Sequence, residues 1–158
     1  MLFRSKGVSY RFPHAFDLSL FPTLRSFSLD LRFSDSNYDM LVLKGLKLSS
    51  TVSGQCSIRD IVITMRWTVI NPDRITDIFS SGDDWRSFDE VITSSQFPFL
   101  VNLSLKFDLE YPEHHPPFHH ISAELSSGIR SILPAISTSD SISFVVDIQR
   151  IGVGSAEK

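Results

Sequence analysis

The amino-acid sequence predicts an α/β protein, a solenoid of about three to four strand–helix units with parallel strands on its inner face and helices outside. Three observations predict it. Three segments alternate apolar and polar residues over unusual length. They align with one another without a gap. The stretches between them carry helical periodicity instead.

The strand segments are "LRSFSLDLRF" from Leu24, "IRDIVITMRW" from Ile58 and "LVNLSLKFDL" from Leu100. Leu24, Phe27, Leu29, Leu31 and Phe33 match Ile58, Ile61, Ile63, Met65 and Trp67, and then Leu100, Leu103, Leu105, Phe107 and Leu109. All fifteen slots are apolar. The successive offsets are 34 and 42 residues. Strands are expected near 24–33, 58–67 and 100–109. A fourth, near 142–149, rests on the alternation of Phe144, Val146 and Ile148; it lacks the LxxL opening, as degenerate terminal repeats do. The whole chain, 1–158, reads as a single repeat domain.

Between strands, "DDWRSFDEVITSSQ" places Trp85, Phe88, Val91 and Ile92 on one helical face, with Asp83 or Asp84 available as N-cap. "HHISAELSSGIRSIL" does the same with Ile121, Leu125, Ile129 and Ile132, and Pro134 is expected to end it. "INPDRITDIF" offers Asn71 as cap and Pro72 as first helical residue. "SNYDMLVLKGLKLSS" reads as a further helix, weakened at Gly45. Strands joined by helical crossovers run parallel.

Composition narrows the function. Hydrophobic residues make up 42% and charged residues 21% of 158, enough to bury a core. The net charge of −3 provides no whole-chain attraction to nucleic acid or to an anionic membrane, and neither is expected as a partner. The single cysteine, Cys56, cannot form an internal disulfide and reads as an inert thiol in a reducing compartment. No signal peptide and no run of about 18–20 apolar residues is present. The expected location is intracellular, cytoplasmic or nuclear.

The polar strand positions form rows in the same alignment: Ser28, Val62 and Ser104; then Asp30, Thr64 and Lys106; then Arg32, Arg66 and Asp108. Parallel neighbours in register sit about 4.8 Å apart, so Arg32 beside Arg66 needs Asp30, Asp108 or a ligand to share the charge. A solvated, self-neutralising face is one reading. The sharper one is a partner-binding surface built from Asp30, Arg32, Thr64, Arg66, Lys106 and Asp108.

The strand pattern LxxLxL, alternating with helices, resembles leucine-rich repeats. The usual Asn or Cys eight residues after the first Leu is replaced by Arg32, Arg66 and Asp108, and the units are longer than is common. With "FDLSLFPTLRSFSL" from Phe16 and "WRSFDEVITSSQFPFLVNLSL" from Trp85, the chain is similar to the C-terminal region of basidiomycete fungal F-box-like proteins. That resemblance implies substrate recognition for ubiquitin ligation only where an F-box segment is encoded elsewhere. The F-box itself is absent before Phe16, so the chain reads as a fragmentary member, and a gene product without independent function is one alternative. The expectation is a non-enzymatic module with an unknown protein partner and no cofactor. No P-loop, GxGxxG, HExxH, GxSxG or Cys/His zinc spacing occurs.

The competing alternative is a metal-binding protein or metal-dependent hydrolase centred on "YPEHHPPFHH". Glu113, His114, His115 and His119 are its candidate ligands. Zinc needs about three or four donors in a tetrahedron. Pro116 and Pro117 break the helical spacing between His115 and His119, while His119 and His120 are expected to face different ways. This alternative predicts saturable, tight zinc binding by calorimetry that is lost in His115→Ala/His119→Ala; heats of dilution alone would eliminate it.

Overall fold

The structure, a computed structural model, describes residues 23–34, 57–69, 79, 82–110 and 117–152. The helix expected at 36–50 and all but Phe79 of the one expected at 70–79, with Asn71 and Pro72, lie outside these residues, as do Cys56 and 111–116. Four strands, β1 (Ser26–Ser34), β2 (Asp60–Thr68), β3 (Asn102–Glu110) and β4 (Ser143–Ile151), form one parallel sheet whose spatial order follows the chain. Helix α1 (Gly82–Ile92) lies between β2 and β3 in sequence. Helix α2 (Phe118–Ile132) and the short α3 (Pro134–Ser137) lie between β3 and β4. The architecture is α/β, as expected. No helix among the described residues is long and apolar enough to cross a membrane.

The pairing register equals the ungapped alignment of the repeat. Leu29 pairs Ile63, Ile63 pairs Leu105, and Leu105 pairs Val146. Apolar residues therefore meet apolar residues along the rows of one face of the sheet, up to the end of β4, where Arg150 is the partner of Leu109. Ile61, Ile63, Met65 and Trp67 of β2 and Leu103, Leu105, Phe107 and Leu109 of β3 are all buried. On the outer strands of this four-stranded sheet, Leu31 is buried, but Phe27, Leu29, Phe144, Val146 and Ile148 are only partly buried, because an outer strand is flanked by a strand on one side alone.

The strands begin two residues later than their repeat motifs at 24, 58 and 100. The backbone shows why. Arg25 O accepts from both Arg59 N (2.7 Å) and Asp60 N (3.2 Å), and Arg59 O accepts from both Val101 N (2.8 Å) and Asn102 N (3.0 Å). Two donors on one carbonyl require a bend there. Strict alternation would send residues three apart to opposite faces. With the bend, Ile58 and Ile61 are both buried, and so are Leu100 and Leu103. The LxxL spacing is the sequence trace of that bend.

Helix α1 turns Trp85, Phe88 and Ile92 into the same core, with Trp85 and Phe88 edge to face at 6.4 Å. Burial of side chains of this size contributes about 1.5–3 kcal/mol each. The helix starts at Gly82, so Asp83 and Asp84 occupy its first turn and do not cap it from outside. There they favour the positive end of the helix dipole, and Asp83 lies 3.7 Å from Arg86. In α2, Leu125 and Ile129 are buried. Pro134 ends α2 as expected but also opens α3, where its fixed φ and missing N–H suit the first helical position.

Asp89 joins these pieces. Its carboxylate is almost fully buried on α1 and accepts from Ala135 N to Oδ2 (2.8 Å) and from Ile136 N to Oδ1 (2.9 Å). Those are the first free amides after Pro134. One acid thus occupies the amino end of α3, and Leu133 and Ile136 on either side complete the core. A second tie is steric. A Cβ on Gly128 would sit 2.6 and 2.9 Å from the ring Cε atoms of Phe79, so this α2 position has to lack a side chain for the Phe79 ring to pack there.

Replacing Asp89 by Ala leaves the buried Ile136 amide and the part-buried Ala135 amide without their acceptor, and should destabilise the fold by about 2–3 kcal/mol. Asp89→Asn supplies an acceptor on one side only and should recover part of that loss. Urea unfolding of the three proteins checks this ordering.

Candidate interaction face

The face opposite the core is assembled by the same register. Its rows, read across β1 to β4, are Ser26, Asp60, Asn102 and Ser143; then Ser28, Val62, Ser104 and Val145; then Asp30, Thr64, Lys106 and Asp147; then Arg32, Arg66, Asp108 and Gln149; then Ser34, Thr68, Glu110 and Ile151. All six residues expected on this face fall into two adjacent rows. β4 extends those rows with Asp147 and Gln149.

Most of the charge on this face is matched from within it. Arg66 stands between two carboxylates: Nη2 is 3.6 Å from Asp30 Oδ2 and Nε is 3.6 Å from Asp108 Oδ2. These are charge contacts, too long for hydrogen bonds. The Nε–H is itself buried and makes no hydrogen bond. Side-chain exposure falls from 52% at Asp30 to 37% at Arg66 and 21% at Asp108, so the inner contact is the less screened of the two. Asp60 accepts from Asn102 Nδ2 (2.6 Å) and Ser26 Oγ (3.2 Å). Glu110 accepts from Thr68 Oγ1 (2.7 Å), and Asp147 accepts from Gln149 Nε2 (2.8 Å).

Lys106 differs. It is exposed, and no ion pair to it occurs among the described residues, although Asp147 is its partner in register. Val145, half exposed, is the large apolar side chain of this face most open to solvent. The cross-strand bonds of Asp60 and Glu110 belong to rows just outside the three considered from sequence, and extending the same alignment by one step each way finds them.

The histidine stretch is only partly visible. Glu113, His114 and His115 lie outside the described residues. His119 and His120 sit exposed in the first turn of α2, and their rings come together at 4.1 Å with a 40° tilt. The expectation that they face different ways fails because no preceding helical turn restricts their rotamers. Among the described residues, no three His, Cys, Asp or Glu side chains are placed to hold a metal ion.

No family model, no curated protein and no solved structure matches this chain.

Removing the central charge leaves Asp30 and Asp108 without their shared cation. Arg66→Gln should cost about 1 kcal/mol, with the larger coupling to Asp108. Double-mutant cycles with Asp30→Asn and Asp108→Asn, at low and at about 1 M salt, measure both couplings, and the Asp30 coupling should be the one that salt abolishes.

Proposed function

We propose that this chain is a non-enzymatic protein–protein interaction module, a leucine-rich-repeat-like solenoid whose polar strand face is concave and binds a protein partner. Within that reading it is the substrate-recognition part of an F-box-type ubiquitin-ligase receptor, working in the cytoplasm or nucleus. The ligase role requires an F-box segment in the same reading frame. The repeat resemblance supports the family, and the polar face supports the binding role.

One observation carries the binding role. The face holds Arg66 between Asp30 and Asp108 and bonds Asp60 and Glu110 across strands, so little ordering of these side chains remains to be done when a partner arrives. Thr64, Ser104 and the exposed Lys106 and Val145 supply hydrogen bonds, a free cation and an apolar contact between those pairs. Asp30, Arg32, Arg66 and Asp108 form the charged row pair that sets orientation.

The ion pairs determine which variant tests the proposal cleanly. Arg66→Glu puts three carboxylates together and stresses the fold, whereas Lys106→Glu breaks no ion pair seen among the described residues. Affinity selection against a displayed protein library should yield a partner whose binding falls about tenfold or more with Lys106→Glu, and further with Arg66→Glu, while the melting temperature of Lys106→Glu stays unchanged. Equal binding by wild type and both variants would refute the role of this face.

A further inference from the structure

One end of the polar face carries charge that has no ion-pair partner among the described residues. The bend that starts each strand lines up Arg25, Arg59 and Val101 by direct backbone bonds: Arg59 N to Arg25 O at 2.7 Å and Val101 N to Arg59 O at 2.8 Å. The bond from Ser143 N to Val101 O (2.7 Å) continues the row to Ile142. Two arginines thus stand side by side on neighbouring segments, followed by the exposed Val101, while Ile142 packs against the core. Both arginines are exposed, and neither has an ion pair among the described residues. The acid nearest in sequence, Asp60, already accepts from Asn102 and Ser26 on the polar face. Arg66, by contrast, has two carboxylates for one charge.

The apolar end of the row is also open. Val101 is 39% exposed, and Phe99, two residues before it in the turn leading to β3, is 52% exposed. These two and Val145 are the large hydrophobic side chains most exposed among the described residues. Adjacent like charges are unfavourable until an anion joins them, and the guanidinium fork suits a carboxylate bidentately. Arginine and exposed aromatic side chains are the residue types enriched in interface anchors.

We propose that the rim formed by Arg25, Arg59, Phe99 and Val101 docks an acidic peptide segment, its carboxylates on the two arginines and an apolar side chain over Phe99 and Val101. From Arg25 to Val101 the row spans about 10 Å at about 4.8 Å per strand, the length of about three extended residues. The chain's net charge of −3 opposes general attraction to acids, so the attraction is local to this rim. The rim adjoins the Ser26, Asp60 and Asn102 row at the end of the polar face, away from Lys106, and the proposal depends neither on the repeat family nor on the ligase role.

Fluorescence anisotropy with the labelled peptide Glu-Asp-Glu-Leu-Phe-Gly tests it, against the amide peptide Gln-Asn-Gln-Leu-Phe-Gly. The acidic peptide should bind at least about tenfold tighter, more weakly as salt rises. Arg25→Glu/Arg59→Glu should abolish the difference, and Arg25→Gln/Arg59→Gln should reduce it, with unchanged circular dichroism. Phe99→Ser/Val101→Ser should weaken binding several-fold, and Lys106→Glu should leave it intact. Equal binding of the two peptides, no binding of either, or full affinity in the charge-reversed variant would overturn the proposal. Binding to vesicles with about 30% phosphatidylserine in place of the peptide would overturn it too, and make the rim a membrane contact.

Discussion

Everything described in this protein depends on four parallel strands pairing without a shift. In such a sheet each residue meets the equivalent residue of the next unit, about 4.8 Å away. A slip of one residue would exchange the two faces, placing Arg66 and Asp108 in the core and Trp67 and Leu109 in water. The apolar rows make that slip prohibitively costly. The polar rows inherit their order from the same constraint, which is why an arginine and two aspartates from three strands fall within 3.6 Å contacts. The exposed pair Arg25 and Arg59 has the same origin, since the bend that buries Ile58 and Leu100 also aligns the residues that follow them.

The units are tied to each other by few but specific contacts outside the sheet. Asp89 reaches from α1 to amides 46 and 47 residues later, and Phe79 fills the space above Gly128. Arg130, near the end of α2, lies 5.3 Å from the ring of Phe144 on β4, a cation–π contact that steadies the least buried strand. Burial supplies the bulk of the stabilisation, and these contacts select how successive helices sit on it.

The strand rows and the register were legible in the sequence because an ungapped repeat and an in-register parallel sheet are the same statement in different terms. Which helical faces are buried was legible for the same kind of reason, from the spacing of Trp85, Phe88 and Ile92 and of Leu125 and Ile129. Asp89 was not. In sequence it is one acid among several on a helix, and its function depends on where a proline-led turn arrives in space. The choice of Arg66 as the shared cation was foreseeable only as a need for neutralisation. The contact of His119 with His120 depends on rotamers at a helix start, which carry no sequence signal. The motif's first leucine was read as strand because alternation and a bend look alike when only apolar positions are compared.

Both proposed surfaces follow from the register, so the register is the thing to measure. Cysteine pairs report it directly in a Cys56→Ser background. Val62 and Ser104 are partners on the polar face, and in-register neighbours at about 4.8 Å fall within the span a disulfide can bridge. A diagonal pair, about 7–8 Å apart, falls outside it. The account predicts rapid oxidation of Val62→Cys/Ser104→Cys to an unstrained disulfide, and little or none for Val62→Cys/Lys106→Cys. Faster oxidation of the second pair would contradict the register, and with it the arrangement of both faces.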